Sequence, residues 1–167
     1  WMYGRYDKIV CITELTMGNL LVHVVEEYAG RCVVIYNGID LGKFRKEKKS
    51  MPKSSDMKKI LMVSAFREQK DQKTLIRAME LLPDNYMLFL AGGGEESLLD
   101  ACRNLSGFLG VEERVKFLGV RTDVLSLLHE ADVVVLSSHY EGLSLSSLEG
   151  MASGKPFVAS DVPGLRD

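Results

Sequence analysis

The feature that most limits the fold of this 167-residue chain is a regular alternation of short apolar runs with amphipathic segments. The runs are apolar on both faces, which indicates strands of a parallel sheet covered on both sides. Single helices between them indicate right-handed crossovers, and hence an α/β fold with a doubly wound, Rossmann-like sheet. Strands are predicted at residues 7–13, 31–36, 59–64, 86–91, 114–119, 132–137 and 156–160, and helices at 14–29, 71–82, 95–106 and 122–130.

The order of these strands predicts where a ligand binds. In the usual 3-2-1-4-5 order, strands 59–64 and 132–137 are the first and the fourth and lie side by side at the topological switch point. Ligands bind there, beyond the carboxyl ends of the strands. The loops that leave these two strands, residues 65–71 and 138–144, are therefore the candidate site.

Two glutamates flank the serine-rich segment "EGLSLSSLEG" that follows the fourth strand. Ser146 and Glu149 fit a capping box, in which Glu149 would bond to backbone N–H groups at a helix start. The apolar positions Leu145, Leu148 and Ala152 instead favour a helix that begins by Leu145. Glu149 would then lie in the second turn, beside a buried stripe, where a carboxylate needs a hydrogen-bond donor such as a ligand hydroxyl.

The same segment has the features of an anion site. A glycine between strand and helix lets backbone amides approach a ligand closely, and the amides of Gly142, Leu143 and Ser144 would point outward at a helix N-terminus. Lys70 and Arg67 leave the first strand opposite these amides. Together these groups would make a cradle for a diphosphate.

Composition excludes several classes of function. The net charge of −2 gives no global field for nucleic acid, and the basic run at residues 45–59 predicts a solvated loop, with a membrane-surface or anionic-partner patch as the minor alternative. No apolar stretch approaches the ~20 residues of a membrane span, and no signal peptide is visible. Cys11, Cys32 and Cys102 form no C-x-x-C pair and indicate free thiols of a reducing, cytoplasmic location.

Metal and cofactor sites are not predicted. There is no D-x-D motif, and His23, His129 and His139 are far apart in the sequence. If a diphosphate leaves this site, protein cations and dipoles must therefore stabilise it without Mg²⁺.

A dinucleotide site is the competing hypothesis. In "AGGGEES", Gly92, Gly94 and Ser97 nearly match G-x-G-x-x-G between a strand and a helix. The next strand ends in "FLGVR" with no acidic residue for a ribose, and the motif follows the second strand rather than the first. An NAD(P)-dependent oxidoreductase domain is thus the alternative that these residues favour less.

The segment from residue 59 to 167 resembles the C-terminal, donor-binding domain of retaining glycosyltransferases of family 4, with the GT-B fold. "EGLSLSSLE" matches the E-x7-E signature of that family. "ADVVVLSSHYEG", "EGMASGKPFVASDVPG", "VKFLG", "AGGG" and "VIYNGID" have counterparts in the same order. The resemblance implies transfer of a sugar from a UDP- or GDP-sugar to an acceptor glycan or lipid-linked sugar, with retention of configuration.

The resemblance also implies roles for individual residues. Glu149 would bond to the donor ribose, Glu141 to the hydroxyls of the transferred sugar, and Lys70 to the diphosphate. The amides after Glu141 would hold sugar and phosphate, and Lys70 and Glu141 would be the catalytic pair. Val120 and Arg121 would lie beside the nucleotide base.

Two departures from the family pattern affect these expectations. Ala65 stands where the family often has an arginine, so Arg67 would have to supply the guanidinium. Residues 1–30 resemble the tail of an acceptor domain with its interdomain helix, and residues 31–167 a donor domain that is incomplete at its C-terminal end. The fragment would then bind donor without transferring sugar, or the domain would be a non-catalytic nucleotide-sugar binder. Peripheral membrane association of a longer protein stays open.

Overall fold

The computed structural model describes residues 5–23, 26–46 and 56–166. Their strands are β1 (Ile9–Cys11), β2 (Cys32–Val34), β3 (Lys58–Val63), β4 (Tyr86–Ala91), β5 (Val115–Gly119), β6 (Val133–Leu136) and β7 (Phe157–Ala159). Their helices are α1 (Glu14–Leu21), α2 (Glu26–Ala29), α3 (Leu41–Lys46), α4 (Gln72–Leu81), α5 (Glu96–Phe108), α6 (Val124–Glu130) and α7 (Leu145–Ala152). Short 3-10 turns lie at Glu68–Lys70 and Glu112–Arg114.

The larger sheet has the strand order β5-β4-β3-β6-β7, and all neighbouring pairs are parallel. This order is the predicted 3-2-1-4-5 arrangement. Strands β3 and β6 are neighbours, with Ile60 opposite Val133. The loops that follow these two strands therefore leave the same edge of the sheet side by side, as the sequence predicts.

Helices cover both faces of this sheet. On one face, Ile76 of α4 and Cys102 of α5 belong to a core with Met62 and Leu88 from the strands. On the other face, Leu128 of α6 packs with the strand residues of a second core, and α7 joins it. A sheet with apolar side chains on both faces and helices on each is the doubly wound arrangement expected from the unbroken apolar runs.

The N-terminal part differs from the sequence prediction in the division of one helix. The predicted helix 14–29 is divided, since α1 ends at Leu21 and α2 begins at Glu26. The described residues Val22 and His23 form a turn, and β-branched residues such as valine are weaker helix formers than leucine or alanine. Strand β2 lies within the predicted strand 31–36 and pairs with β1 in a two-stranded parallel sheet.

The basic run at residues 45–59 is only partly a loop. Its first residues end α3, which the sequence analysis did not predict, and its last residues begin β3. Phe44 of α3 is buried in the second core, and this contact anchors a helix too short to be stable alone. Residues 47–55 of the run lie outside the described residues.

Candidate functional site

The loops that follow β3 and β6 are joined by reciprocal hydrogen bonds. The backbone N–H of His139 donates to the carbonyl of Gln69 at 2.8 Å. The side-chain Nε2 of Gln69 donates in turn to the carbonyl of Tyr140 at 2.7 Å. These bonds hold the two loops of the predicted site at a fixed separation.

The first loop is shaped by Asp71. Its backbone is left-handed, with φ 46° and ψ 51°, an unfavourable conformation for a residue other than glycine. Its carboxylate caps α4 by accepting bonds from the amide and hydroxyl of Thr74, at 3.3 and 2.6 Å. Ser137, at the end of β6, donates to the carbonyls of Lys70 and Asp71 at 3.0 and 2.9 Å. This conformation ends the 3-10 turn and fixes the backbone of Lys70 against the second loop.

Lys70 and Glu141 form a buried ion pair. The ammonium of Lys70 lies 2.5 Å from Oε1 of Glu141, and the two side chains are only 16% and 6% exposed. The buried hydroxyl of Ser138 donates to the same Oε1 at 2.5 Å. Among the described residues nothing bonds to Oε2 of Glu141. The carboxylate is therefore held by one oxygen, and its other oxygen is available to a ligand.

Helix α7 begins at Leu145, as the apolar pattern predicted, and its N-cap is Ser144. The hydroxyl of Ser144 accepts from the amide of Ser147 at 3.4 Å. The alternative of a capping box at Ser146 and Glu149 is therefore wrong. The amides of residues 142–146 donate to no acceptor in the described part of the chain. A run of unpaired amides at a helix start, next to a lysine, is a favourable place for an anion.

Glu149 is the fifth residue of α7 and is partly buried. Within the ranges that the structure covers, its carboxylate has no hydrogen bond or ion pair. Of the predicted buried stripe, Leu145 is wrong because it is 50% exposed, whereas Leu148 and Ala152 are partly buried. The buried residues of α7 are Ser147 and Gly150. The helix approaches the sheet through these small residues, since a Cβ at Gly150 would lie 2.9 Å from the ring of Phe157.

The other predicted contact residues form no side-chain bond to the ion pair among the described residues. Arg67 is exposed, and its guanidinium has no partner among the described residues. Val120 is 79% exposed and lies over Gly93. Arg121 bonds to Asp123 through Nε and Nη2, at 2.7 and 2.6 Å. These bonds raise the pKa of Arg121 and lower the pKa of Asp123 relative to their ordinary values.

The glycines of "AGGG" are explained by close packing between two loops. Gly92 has φ +147°, and a Cβ there would lie 2.0 Å from the carbonyl oxygen of Ser64. A Cβ at Gly94 would lie 2.3 Å from the carbonyl oxygen of Phe66. These glycines therefore face the loop after β3, and the near match to a dinucleotide fingerprint needs no dinucleotide to account for it. The carbonyl of Ala65, in the same loop, accepts from the side chain of Gln72 at 2.9 Å.

Sequence reasoning missed three residues that hold the site. Ser138 follows directly from the apolar run of β6, and that position was a usable signal. Gly164 has φ +81° and lies against the Glu141–Gly142 backbone. Asn37 donates from Nδ2 to the carbonyl of Leu143 at 3.1 Å. Both contacts join distant parts of the chain, and no local pattern reports them.

Residues 5–23, 26–46 and 56–166 contain no cluster of three His, Cys, Asp or Glu side chains arranged to hold a metal ion. No helix in these ranges combines the length and the apolar character that crossing a bilayer demands.

Comparison with known proteins adds a family match. Residues 43–167 match the family model described as "Glycosyl transferases group 1". An uncharacterized glycosyltransferase of Methanocaldococcus jannaschii is 40% identical over 147 residues, which cover 80% of this chain and 37% of that protein. The N,N'-diacetylbacillosaminyl-diphospho-undecaprenol alpha-1,3-N-acetylgalactosaminyltransferase of Campylobacter jejuni is 34% identical over 142 residues, covering 80% of this chain and 37% of its own length. The chain thus spans less than half of these relatives.

A solved structure agrees with this match. The structure of Anabaena HepE in complex with UDP-glucose superposes with a TM-score of 0.85 at 26% identity. The superposition covers 97% of this chain and 47% of that protein.

Proposed function

Because this chain belongs to the glycosyl transferases group 1 family, we propose that it binds the nucleoside-diphosphate sugar from which a glycosyltransferase takes its sugar. Its parallel-sheet fold is that of GT-B glycosyltransferases. The HepE structure contains UDP-glucose, which supports a UDP-sugar as donor here, and a GDP-sugar is the other candidate.

One observation carries this proposal. The amides of residues 142–146, which donate to no acceptor in the described part of the chain, lie at the start of α7 directly after the buried Lys70–Glu141 pair. Amides and an ammonium suit the two charged phosphates of a donor, while the free Oε2 of Glu141 suits a sugar hydroxyl. Glu149, whose carboxylate has no partner within residues 5–23, 26–46 and 56–166, suits the hydroxyls of a ribose.

We propose that the chemistry is sugar transfer without a metal ion. Negative charge grows on the diphosphate as its bond to the anomeric carbon breaks. Lys70 and the amides of residues 142–144 would stabilise that charge from positions set before the reaction, and such preorganisation is commonly the largest catalytic contribution. The exposed guanidinium of Arg67, from the same loop as Lys70, would add to this stabilisation. In the family 4 mechanism that we adopt, the acceptor oxygen bonds to the face that the diphosphate leaves and its proton passes to the departing diphosphate, so configuration is retained.

The acceptor and the domain division are proposals as well. The name of the Campylobacter relative includes a diphospho-undecaprenol-linked sugar, which supports a lipid-linked sugar as one acceptor class, beside a glycan. Residues 1–30 would end an acceptor domain and residues 31–167 would form the donor domain. The isolated chain should then bind donor but transfer no sugar. A cytoplasmic location, with the longer protein peripheral to a membrane, fits this chemistry.

Titration calorimetry of the chain with UDP, GDP and ADP tests the proposal, with NADP⁺ as the competing ligand. The sheet offers a matched pair of variants. Lys70→Met with Glu141→Gln neutralises the pair at the carboxyl ends of β3 and β6. Lys59→Met with Glu130→Gln neutralises a second pair, 2.9 Å apart, at the opposite ends of the same strands. Changing both partners avoids leaving one buried charge unpaired.

We expect the unaltered chain and the Lys59/Glu130 variant to bind one of the diphosphates equally. The Lys70/Glu141 variant should bind it at least about tenfold more weakly, the effect of losing one charge-assisted bond. Failure of the unaltered chain to bind any nucleoside diphosphate would overturn the proposal, and tight binding of NADP⁺ instead would favour the oxidoreductase alternative.

A further inference from the structure

We propose that Gly164 and Asn37 are positioning residues that aim the amides of residues 142–144 at the diphosphate. This inference rests on the proposed function and deepens it. It concerns how the anion site is oriented, and it assigns that task to two residues that are distant from the site in sequence.

The argument begins with peptide geometry. In a planar trans peptide, the C=O and the following N–H point in opposite directions. The described peptide bonds are all trans. A contact that holds a carbonyl on one side of a loop therefore directs the next amide hydrogen to the other side.

Gly164 fixes the first two carbonyls. A Cβ at this position would lie 2.2 Å from the carbonyl oxygen of Glu141 and 2.3 Å from that of Gly142. Both oxygens thus point toward the turn that follows β7. The N–H groups of Gly142 and Leu143, which belong to the same peptide planes, point away from that turn. Any side chain at residue 164 would rotate these planes.

Asn37 fixes the third carbonyl. Its Nδ2 donates to the carbonyl of Leu143 at 3.1 Å, across 106 residues of sequence. The N–H of Ser144 therefore points away from Asn37. With Gly164 on the first two planes and Asn37 on the third, three consecutive amides have set directions, and none of them donates to an acceptor in residues 5–23, 26–46 or 56–166.

The chain contains a matched control for each residue. Gly110 has φ +67°, close to the +81° of Gly164, but a Cβ there meets nothing within 4 Å. Gly110→Ala and Gly164→Ala thus share the backbone strain of a left-handed alanine, and only the second touches the anion loop. Asn85 donates from Nδ2 to the carbonyl of Asp56 at 3.1 Å, away from the site. Asn85→Ala therefore controls for the bond lost in Asn37→Ala.

The experiment measures two ligands by calorimetry on each variant: the nucleoside diphosphate that the unaltered chain binds, and the corresponding nucleoside. We expect Gly164→Ala and Asn37→Ala to weaken diphosphate binding by about tenfold, as the loss of one charge-assisted hydrogen bond does. Nucleoside binding should not change, because the amides contact phosphate only. A general loss of structure would lower the affinity for both ligands.

A spectroscopic readout completes the test. In ¹⁵N-labelled unaltered chain, the amide resonances of residues 142–144 should shift when the diphosphate is added. Two results would overturn the inference alone, provided that the unaltered chain binds the diphosphate. The first is that Gly164→Ala and Asn37→Ala bind the diphosphate with the same affinity as their control variants. The second is that the amide resonances of residues 142–144 do not shift when the diphosphate binds. Absence of any nucleoside-diphosphate binding by the unaltered chain would overturn the proposed function, and the inference with it.

Discussion

The carboxylate of Glu141 has two unlike oxygens. Oε1 receives both the ammonium of Lys70 and the hydroxyl of Ser138, each at 2.5 Å. Removing a carboxylate from water is costly unless such partners are present. The two donors on Oε1 therefore also fix the direction of Oε2. At the scale of single residues, the site is a set of groups whose orientation is set before a ligand arrives.

Ser138→Ala tests this arrangement. Loss of the hydroxyl removes one hydrogen bond to a charged group, and we expect the free energy of unfolding to fall by ~1.5–3 kcal/mol. Affinity for the nucleoside-diphosphate sugar should fall more than affinity for the diphosphate, because Glu141 is proposed to contact the sugar. Ser106→Ala is the control, since Ser106 is equally buried and bonds to the carbonyl of Arg103 at 2.7 Å. An unchanged ratio of the two affinities would leave Ser138 with a structural role only.

Glu149→Ala should separate binding from stability. Because this partly buried carboxylate has no partner among the described residues, its loss removes no stabilising contact and should not lower the free energy of unfolding. Affinity for the nucleoside diphosphate should fall by ~1.5–3 kcal/mol, the scale of charge-assisted hydrogen bonds. Calorimetry and urea unfolding measure the two quantities. Glu80→Ala, on the exposed surface of α4, should alter neither, and equal affinities in both variants would contradict the ribose contact.

At the scale of elements, helix α7 is placed by small residues rather than large ones. Ser147 and Gly150 are buried, whereas Leu145 and Met151 are about half exposed. Helix α7 can therefore pack close to the sheet because its buried side chains are small. That approach sets the position of the N-terminus of α7, where the proposed phosphate amides lie.

Replacing glycine by alanine at two helical positions should change the free energy of unfolding in opposite directions. Gly107 of α5 has nothing within 4 Å of an added Cβ, so Gly107→Ala should stabilise the chain by ~0.5–1 kcal/mol through helix propensity. At Gly150 the added Cβ would lie 2.9 Å from Phe157 and 3.0 Å from Val134. Crowding of ~1–3 kcal/mol should exceed the propensity gain and give a net loss of roughly 1 kcal/mol. Urea unfolding measures both, and a stabilising Gly150→Ala would show that α7 can move.

At the scale of the whole molecule, the two ends of the sheet differ in how deeply their ion pairs are buried. The Lys59–Glu130 pair, at the amino end of β3, has side chains 41% and 59% exposed, and such pairs contribute little to stability. The Lys70–Glu141 pair, at the carboxyl end, is 16% and 6% exposed. Buried charges that require this much support are concentrated where a parallel sheet binds its ligand.

The architecture could be predicted because it depends on a strong local signal. Runs such as "YMLFLA" and "DVVVLS" define the strands, and topology rules then place two loops together. Lys70 and Glu141 were predicted at one site for that reason. The helix start at Leu145 also followed from local pattern.

The remaining features depend on contacts that leave no local pattern. Helix α3 forms because Phe44 is buried in the second core, and α7 packs through small residues that give no apolar stripe. Gly164 contacts Glu141, which is 23 residues earlier in the sequence (164 minus 141), and Asn37 bonds to Leu143, which is 106 residues later. Only three-dimensional contact reveals such residues.

Two buried thiols make the stability of the whole chain depend on pH. Cys11 and Cys102 are 6% and 2% exposed, and burial raises the pKa of each above the ordinary 9.0. Above pH ~9 the unfolded chain loses these protons while the folded chain keeps them, so the free energy of unfolding falls as pH rises, by at most ~1.4 kcal/mol per pH unit for each thiol. Urea unfolding under reducing conditions between pH 7.5 and 10 measures the slope. The double variant Cys11→Ala, Cys102→Ala keeps every other titrating group and should therefore lose stability less steeply. Equal slopes in the two proteins would mean that the folded chain admits water to both thiols.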